Sequence, residues 1–173
     1  MPGTLALVKP LAWYLNAAMR TLRAFVPALA RPDDAFAEAW LPATEFALYR
    51  RMDRRDRDHA CRVARGLLAV EPRAPALLVR AALLHDVGKA DRPYRPWERI
   101  AVHVYRPGRG AGAGVGGAGL AALWRHHQAH PARGAAMILA AGGDPEVAAL
   151  VRAHHDADGP RELELLRRVD ART

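Results

Sequence analysis

A single stretch of this chain decides its fold: residues 78 to 89 read L-V-R-A-A-L-L-H-D-V-G-K. Leu78, Ala81 and Ala82 have the spacing of one apolar helix face, and the residue seven positions after Leu78 on that face is His85. Asp86 follows directly. Imidazoles and carboxylates normally avoid apolar faces, so this predicted helix ends its core-facing side in residue types that bind divalent metal ions.

Two more segments near the end of the chain have the same pattern. The apolar face that begins at Val147 leads after seven residues to His154, with His155 beside it. The face that begins at Leu163 leads after seven residues to Asp170. Three predicted helices therefore place a potential metal ligand at the end of a core-facing stripe.

Two further histidines belong to this group. His59 begins a helix whose inward face would include Val63 and Leu67, and His130 directly precedes Pro131 at the start of another helix. A lone histidine on an apolar face is more often a core residue with a hydrogen-bond partner than a ligand. Five histidines and two aspartates would each need a separate partner, whereas a shared metal centre supplies one partner for all of them.

Helical periodicity recurs through nearly all of the chain after residue 42, and strand-like alternation is almost absent. We therefore predict an all-α fold. Asp144 and Pro145 form the clearest helix start, because Asp caps helices and Pro suits the first helical position. The predicted helices are Leu41–Met52, Asp56–Val70, Pro75–Gly88, Pro96–Tyr105, Leu120–His126, Pro131–Ala141, Asp144–His155 and Arg161–Asp170.

The N-terminal segment carries its own amphipathic pattern between residues 4 and 30. We predict a helical extension over residues 1–41 that precedes one domain over residues 42–173. The apolar stripe is expected to pack on that domain, and a homodimer or a membrane-surface contact through it is the alternative. Lys9, Asn16 and Arg20 interrupt the stripe too early for a membrane span, so no transmembrane segment is predicted.

The cysteine content and the N-terminus indicate the location of the protein, and its charge indicates its partners. A single cysteine, Cys61, cannot form an internal disulfide, and no basic region precedes the apolar N-terminus as in a secretory signal, so the expected location is the cytoplasm. The net charge of +8 favours an anionic partner such as a nucleotide or nucleic acid. Nearly all of this charge is arginine spread along the chain, so a solvated basic surface is an equal interpretation.

The glycine-rich run from Gly108 to Gly117 separates the two groups of helices and is predicted to be a mobile loop. It contains a G-x-G-x-x-G pattern at Gly112, Gly114 and Gly117. No βαβ unit surrounds this pattern, and Met137 stands about where a ribose-binding acid would fall, so we interpret the match as chance.

The ordered set of motifs resembles the HD superfamily of metal-dependent phosphohydrolases. The motifs are His59, then L-L-H-D-V-G-K at residues 83–89, H-P-A-R-G-A at 130–135, A-H-H-D at 153–156 and V-D-A at 169–171. The resemblance covers residues 56–171 and implies an all-α HD-domain bundle. The adjacent G-Y-P motif of the HD-GYP subgroup is missing after His154-His155, which argues against cyclic di-GMP as the substrate.

By this resemblance, one metal would be held by His59, His85, Asp86 and Asp170. A second metal would add His130, His154 and His155, with Asp86 bridging the two ions. His126 and His127 lie close enough to His130 in the sequence to be alternative ligands, although the H-P-x-x-G-A context favours His130. Lys89 is expected to contact a substrate phosphate, and a solvated lysine at a helix end is nearly as good an interpretation.

The resemblance implies an enzyme that hydrolyses a phosphoester, with Asp86 and Lys89 as catalytic residues and a nucleotide or cyclic nucleotide as the expected substrate. Two alternatives stay open: a phosphodiesterase acting on short RNA or DNA, and an HD module that binds a ligand without turnover. Mixed imidazole and carboxylate ligands suit Mn, Fe, Co, Ni or Zn. Two divalent ions of this class are the expected cofactors. The alternative is a single ion held by His59, His85, Asp86 and Asp170, with the other histidines binding substrate phosphate.

Overall fold

The computed structural model of the protein describes residues 29–92, 94–95, 97–98, 101–102, 105, 115–156 and 158–173. The predicted N-terminal amphipathic helix and the homodimer contact through it lie mostly outside these residues. The predicted domain division at residues 41 and 42 stays a prediction, although Ala37 and Leu41 pack into the main core.

The described residues form helices and turns without a strand, which confirms the all-α prediction. Helical residues also occur at 97–98 and 101–102. The helices are α1 (Asp34–Trp40), α2 (Ala43–Arg51), α3 (Arg54–Val70), α4 (Ala76–Leu84), α5 (Val115–Gln128), α6 (His130–Ala140), α7 (Pro145–Ala153) and α8 (Arg161–Asp170), with a 3-10 turn at Val87–Lys89 between α4 and α5.

Aspartate side chains define three of the helix starts. Asp33 accepts a hydrogen bond from the backbone nitrogen of Phe36 at the start of α1, and Asp53 caps α3 in the same manner. The predicted start at Asp144 and Pro145 is confirmed, since the Asp144 side chain accepts from the backbone nitrogen of residue 146, 2.9 Å away. These caps satisfy backbone donors that have no partner within the helix.

Helix α4 lies at the centre of the fold. Six of its nine residues are buried, and it packs against α3, α7 and α8. Such a helix has no polar face to expose, which agrees with the nearly continuous apolar sequence around Leu83. Helix α6 packs on α7 and on the 3-10 turn, so the segments that carry the predicted ligands share one core.

The structure differs from the predicted elements in two places. The helix predicted over Pro75–Gly88 ends at Leu84, and the chain tightens into the 3-10 turn. Helix α5 begins at Val115, so the end of the predicted glycine loop is helical, while residues 108–114 lie outside the described residues. Helix α1 lies within the helical extension predicted over residues 1–41, and its Asp33 cap is the sequence feature that marks it.

Two glycines from separate motifs allow the 3-10 turn to touch α6. A Cβ atom at Gly88 would lie 2.0 Å from the carbonyl oxygen of His130 and 2.7 Å from the backbone nitrogen of Gly134. A Cβ atom at Gly134 would lie 3.2 Å from the backbone nitrogen of Gly88. The absence of side chains at both positions therefore brings the backbone after Asp86 directly against the start of α6.

A buried ion pair between Glu45 and Arg80 connects three of the helices. Glu45 is fully buried and accepts two hydrogen bonds from Arg80, at 2.9 Å and 2.6 Å. It also accepts from the backbone nitrogen of Asp144, 3.1 Å away. This network joins α2, α4 and the start of α7, and its bidentate geometry satisfies a carboxylate that would be costly to bury alone.

Two smaller predictions concern Cys61 and the membrane. Cys61 is buried and lies 3.1 Å from the hydroxyl oxygen of Tyr49, and burial raises the pKa of its thiol, so it behaves as a core residue. Within the described part of the chain, no helix combines the length and apolar character that a membrane crossing requires.

Candidate metal centre

The predicted ligands meet where several helices end. His85 follows the last residue of α4, His154 follows the last residue of α7, and Asp170 is the last residue of α8. His130 begins α6 directly after α5, and His59 lies in the second turn of α3. Because the C-terminus of a helix carries partial negative charge, this convergence favours bound cations.

The first group of ligands consists of His59, His85 and Asp170. One potential ligand atom from each lies within 4.8 Å of the others. Nε2 of His59 is 2.8 Å from Oδ1 of Asp170, and Nε2 of His85 is 3.7 Å from the same oxygen. These three residues come from α3, α4 and α8, which are far apart in the chain.

The second group consists of His130, His154 and His155. Their potential ligand atoms also lie within 4.8 Å of one another. Nε2 of His130 is 3.3 Å from Nε2 of His154, and both residues are buried. The exposed His155 lies beside them, with its ring centroid 4.1 Å from that of His154 and 4.9 Å from that of His130.

Asp86 lies between the two groups. Its Oδ2 is 3.6 Å from Nε2 of His85 in the first group, and its Oδ1 is 3.3 Å from Nε2 of His130 in the second. The rings of His85 and His154 are also in contact, with centroids 5.4 Å apart. The two groups therefore form one continuous cluster, with one Asp86 oxygen directed to each side.

Backbone carbonyl groups set the orientation of three of the histidines. Nδ1 of His85 donates to the carbonyl oxygen of Ala82, 2.8 Å away. His130 donates in the same way to the carbonyl of His127 at 2.5 Å, and His154 donates to that of Val151 at 2.6 Å. Each carbonyl belongs to the last turn of a helix, where it lacks a backbone partner. The contacts place the proton on Nδ1 and leave Nε2 as a lone pair that can bind a metal.

The donor set fits a bound cation. With protons on Nδ1, the Nε2 atoms of His130 and His154 present lone pairs to each other across 3.3 Å. Nε2 of His85 is buried and has no hydrogen-bond partner among the described residues. A divalent ion would satisfy these nitrogens and the carboxylates together, whereas an apolar core would leave them uncompensated.

The electrostatic environment holds the ligands in their metal-binding protonation states. Burial alone would raise the pKa of Asp86, but the charge of Lys89 and the adjacent imidazole of His85 lower it well below its ordinary value. Burial alone would also raise the pKa of Asp170, but the hydrogen bond from His59 lowers it below its ordinary value. Burial lowers the pKa of His154 to about 2, and the neighbouring histidines add to this effect. The carboxylates are therefore ionised and His154 is neutral at pH 7.

Lys89 pairs with Asp86 in the structure. Its Nζ is 2.6 Å from Oδ1 of Asp86, and only 15% of its side chain is exposed. Lys89 therefore does not extend into solvent from a helix end. Its predicted contact with substrate phosphate stays a prediction.

Of the three histidines near residue 130, the structure brings His130 into the cluster. Nδ1 of His126 accepts a hydrogen bond from Arg133, and the carbonyl of His127 accepts from His130. Among the described residues, neither His126 nor His127 belongs to a group whose ligand atoms converge. Tyr94 and Arg133 lie next to these histidines and were not predicted from the sequence. The position of Arg133 within H-P-A-R-G-A is the sequence signal that could have indicated it.

The metal-free protein is expected to lose stability as the pH falls below about 6.5. The pKa of His154 is about 2 in the folded protein against an ordinary value of 6.5, so the unfolded chain takes up a proton that the folded chain excludes. The stabilising effect is complete above pH 6.5 and decreases as the pH falls. Asp86 and Asp170 act in the same direction at lower pH, near and below their ordinary value of 3.8.

Thermal unfolding followed by circular dichroism in the presence of a chelator measures this effect. The melting temperature should fall between pH 7 and pH 5, and His154→Gln should reduce the slope of that fall. A melting temperature of the metal-free protein that is constant or rises over this range would contradict the expectation.

Comparison with protein families matches the part of the chain that contains the predicted ligands. Residues 57–172 match the family model described as HD domain. This range contains all seven predicted metal ligands and accounts for about two thirds of the chain. No significant match was found among curated proteins or among solved structures.

Proposed function

The chain belongs to the HD-domain family, a superfamily of metal-dependent phosphohydrolases, and from this premise we propose that it hydrolyses a nucleotide or cyclic nucleotide phosphoester. The position of Asp86 carries the proposal. Its two oxygens are directed to separate groups of ligands, 3.6 Å from His85 and 3.3 Å from His130. Such an arrangement suits a pair of divalent ions that share one carboxylate.

In this proposal, His59, His85 and Asp170 hold one ion, His130, His154 and His155 hold the other, and Asp86 contacts both. The mixed nitrogen and oxygen ligands suit Mn, Fe, Co, Ni or Zn. A bound pair of such ions would lower the pKa of a coordinated water and balance the charge of the phosphate.

The protein's own side chains prepare the site for this chemistry. The Nδ1 contacts of His85, His130 and His154 hold their rings in place, so little reorganisation is needed when a metal binds. Lys89 lies 2.6 Å from an oxygen of Asp86, and a phosphate bound beside Asp86 would therefore lie close to a positive charge. We propose Lys89 as the residue that contacts substrate phosphate.

A small phosphoester is favoured over RNA or DNA as the substrate. Several described arginines are paired with carboxylates of the same chain, among them Arg57 with Asp34 at 2.6 Å and Arg62 with Asp58 at 3.3 Å. Such pairing reduces the positive charge that a nucleic acid backbone would meet. The guanidinium groups of these arginines are therefore already engaged within the fold.

Hydrolysis assays test this function directly. We expect the metal-replete protein to hydrolyse a chromogenic phosphomonoester or phosphodiester with Mn²⁺ present, and a panel of nucleotides should identify a preferred class. A faster reaction with short RNA or DNA than with any nucleotide would favour the nucleic acid alternative. Turnover of none of these compounds would instead favour an HD module that binds a ligand without catalysis.

His130→Ala is expected to reduce the metal content from two ions per chain to about one, with strongly reduced hydrolysis, since it removes a ligand of only one ion. Elemental mass spectrometry of wild type and variant, purified side by side without chelator, measures the difference. His126→Ala is the matched control and should retain two ions, because Nδ1 of His126 is already bonded to Arg133. One ion per chain in both wild type and His130→Ala would refute the two-metal arrangement.

A further inference from the structure

We propose that Tyr94, His126 and Arg133 form a subsite for a second phosphate group of the substrate, next to the metal centre. The inference deepens the proposed function and rests on it, because that function places the reacting phosphate at the metal ligands. We therefore expect substrates with two or more phosphates, such as nucleoside polyphosphates or dinucleotides.

Two buried donors in this cluster have no hydrogen-bond partner in the described part of the chain. Tyr94 is 3% exposed, and its hydroxyl is the first of them. Nε2 of His126 is the second, since it is buried and bonded to none of the described residues. Arg133 can only donate, so its hydrogen bond to Nδ1 of His126 requires the proton of that ring to be on Nε2. A buried donor without an acceptor is uncommon and indicates that a ligand or water supplies the acceptor.

Arg133 supplies positive charge at the same place. Its two terminal nitrogens donate to Nδ1 and to the carbonyl oxygen of His126, the latter at 2.9 Å. Both partners are uncharged, and no carboxylate forms an ion pair with Arg133 in the described part of the chain. A guanidinium with only neutral partners next to two unpartnered donors is suited to an anion with several oxygen atoms.

The cluster adjoins the metal centre. The ring centroid of Tyr94 lies 5.8 Å from that of His126 and 6.1 Å from that of His127, and the His127 ring lies 5.2 Å from the ring of His130. Arg133 follows His130 by three residues on α6. Burial raises the pKa of Tyr94, while Lys89 and Arg133 lower it, so the hydroxyl lies within the electrostatic range of both cations.

Arg92 lies over the ring of Tyr94. Its guanidinium carbon is 5.8 Å from the ring centroid, and 43% of its side chain is exposed. Glu98 accepts a hydrogen bond from Arg92 at 2.7 Å, so the charge of Arg92 is already balanced. We therefore assign the anchoring charge to Arg133.

The groups of this cluster identify the ligand as an anion. The cluster combines a phenol hydroxyl, an imidazole N–H and a guanidinium, and each of these groups can donate a hydrogen bond. The edge of a nucleobase combines donors with acceptors and would leave some of its own donors unpaired here. A phosphate presents only acceptors and negative charge.

Binding of two phosphonates that resist hydrolysis tests the subsite. Methylphosphonate has one phosphonate group for the metal centre, whereas methylenebisphosphonate has a second group for the subsite. We expect the metal-replete wild-type protein, titrated calorimetrically with Mg²⁺ in excess, to bind methylenebisphosphonate about tenfold or more tightly than methylphosphonate. Metal content is measured after each titration, so that loss of metal to the bisphosphonate is detected.

Tyr94→Phe and Arg133→Gln should remove most of this preference. Tyr94→Phe deletes only the hydroxyl, and Arg133→Gln deletes the charge. Both should leave the metal content and the affinity for methylphosphonate unchanged. Arg73→Gln is the control for the change in net charge, because Arg73 is exposed in the loop before α4, at the opposite end of that helix from His85. It should retain the full preference.

The outcomes separate the subsite from the proposed function. A wild-type protein without the preference, or an Arg133→Gln variant that keeps it, overturns the subsite. Because neither probe is hydrolysed, loss of the preference in the variants supports the subsite even if no phosphoester is turned over, in which case only the proposed function fails.

Discussion

Asp86→Asn is expected to abolish hydrolysis and to leave less than one metal ion per chain. The amide keeps the shape of the side chain but loses the charge that both groups of ligands share, at 3.6 Å from His85 and 3.3 Å from His130. It also removes the carboxylate charge that lies 2.6 Å from the ammonium of Lys89. We expect this loss of charge beside Lys89 to lower the free energy of unfolding by on the order of 3 kcal/mol.

The double variant Asp86→Asn/Lys89→Met separates the two effects. Removal of the lysine charge should restore much of the melting temperature, whereas metal content and hydrolysis should stay low. Calorimetry and elemental mass spectrometry on the folded fraction measure both quantities. Two ions per chain in Asp86→Asn would show that Asp86 is not a ligand and would refute its central position.

Gly88→Ala is expected to disrupt the second group of ligands. An added Cβ atom would lie 2.0 Å from the carbonyl oxygen of His130 and 2.7 Å from the backbone nitrogen of Gly134. Both contacts are with backbone, so the 3-10 turn and the start of α6 must separate, and His130 would move away from Asp86. We expect a loss of roughly 3 kcal/mol in the free energy of unfolding and weaker metal binding.

Gly119→Ala is the matched control for this change. Gly119 is exposed in α5, and nothing lies within 4 Å of the Cβ atom it would gain. Because alanine favours helix more than glycine does, this variant should be as stable as wild type or more stable by about 0.5 to 1 kcal/mol. Thermal unfolding and metal analysis of both variants provide the comparison. A Gly88→Ala protein with wild-type stability and metal content would mean that the turn does not press against α6.

Local sequence patterns were sufficient to predict most of the helical core. The spacing from Leu78 to His85 and the cap at Asp144 depend on neighbours within one or two helical turns, so they can be read without knowledge of the fold. His85, His154 and Asp170 could be recognised for the same reason, since each stands at the end of an apolar face. Helix boundaries were predicted less well, because the end of α4 at Leu84 involves the Nδ1 contact of His85 and the approach of α6 to Gly88.

Only the tertiary structure decided which groups meet. Sequence spacing could not show that Asp86 directs one oxygen to His85 and the other to His130, or that Lys89 pairs with Asp86. Nor could it show that the Tyr94 ring contacts that of His126, or that the Tyr94 hydroxyl and Nε2 of His126 are buried without a hydrogen-bond partner among the described residues. Helical periodicity determines which face of each helix is buried, but contacts between residues far apart in the chain depend on how those faces pack against one another.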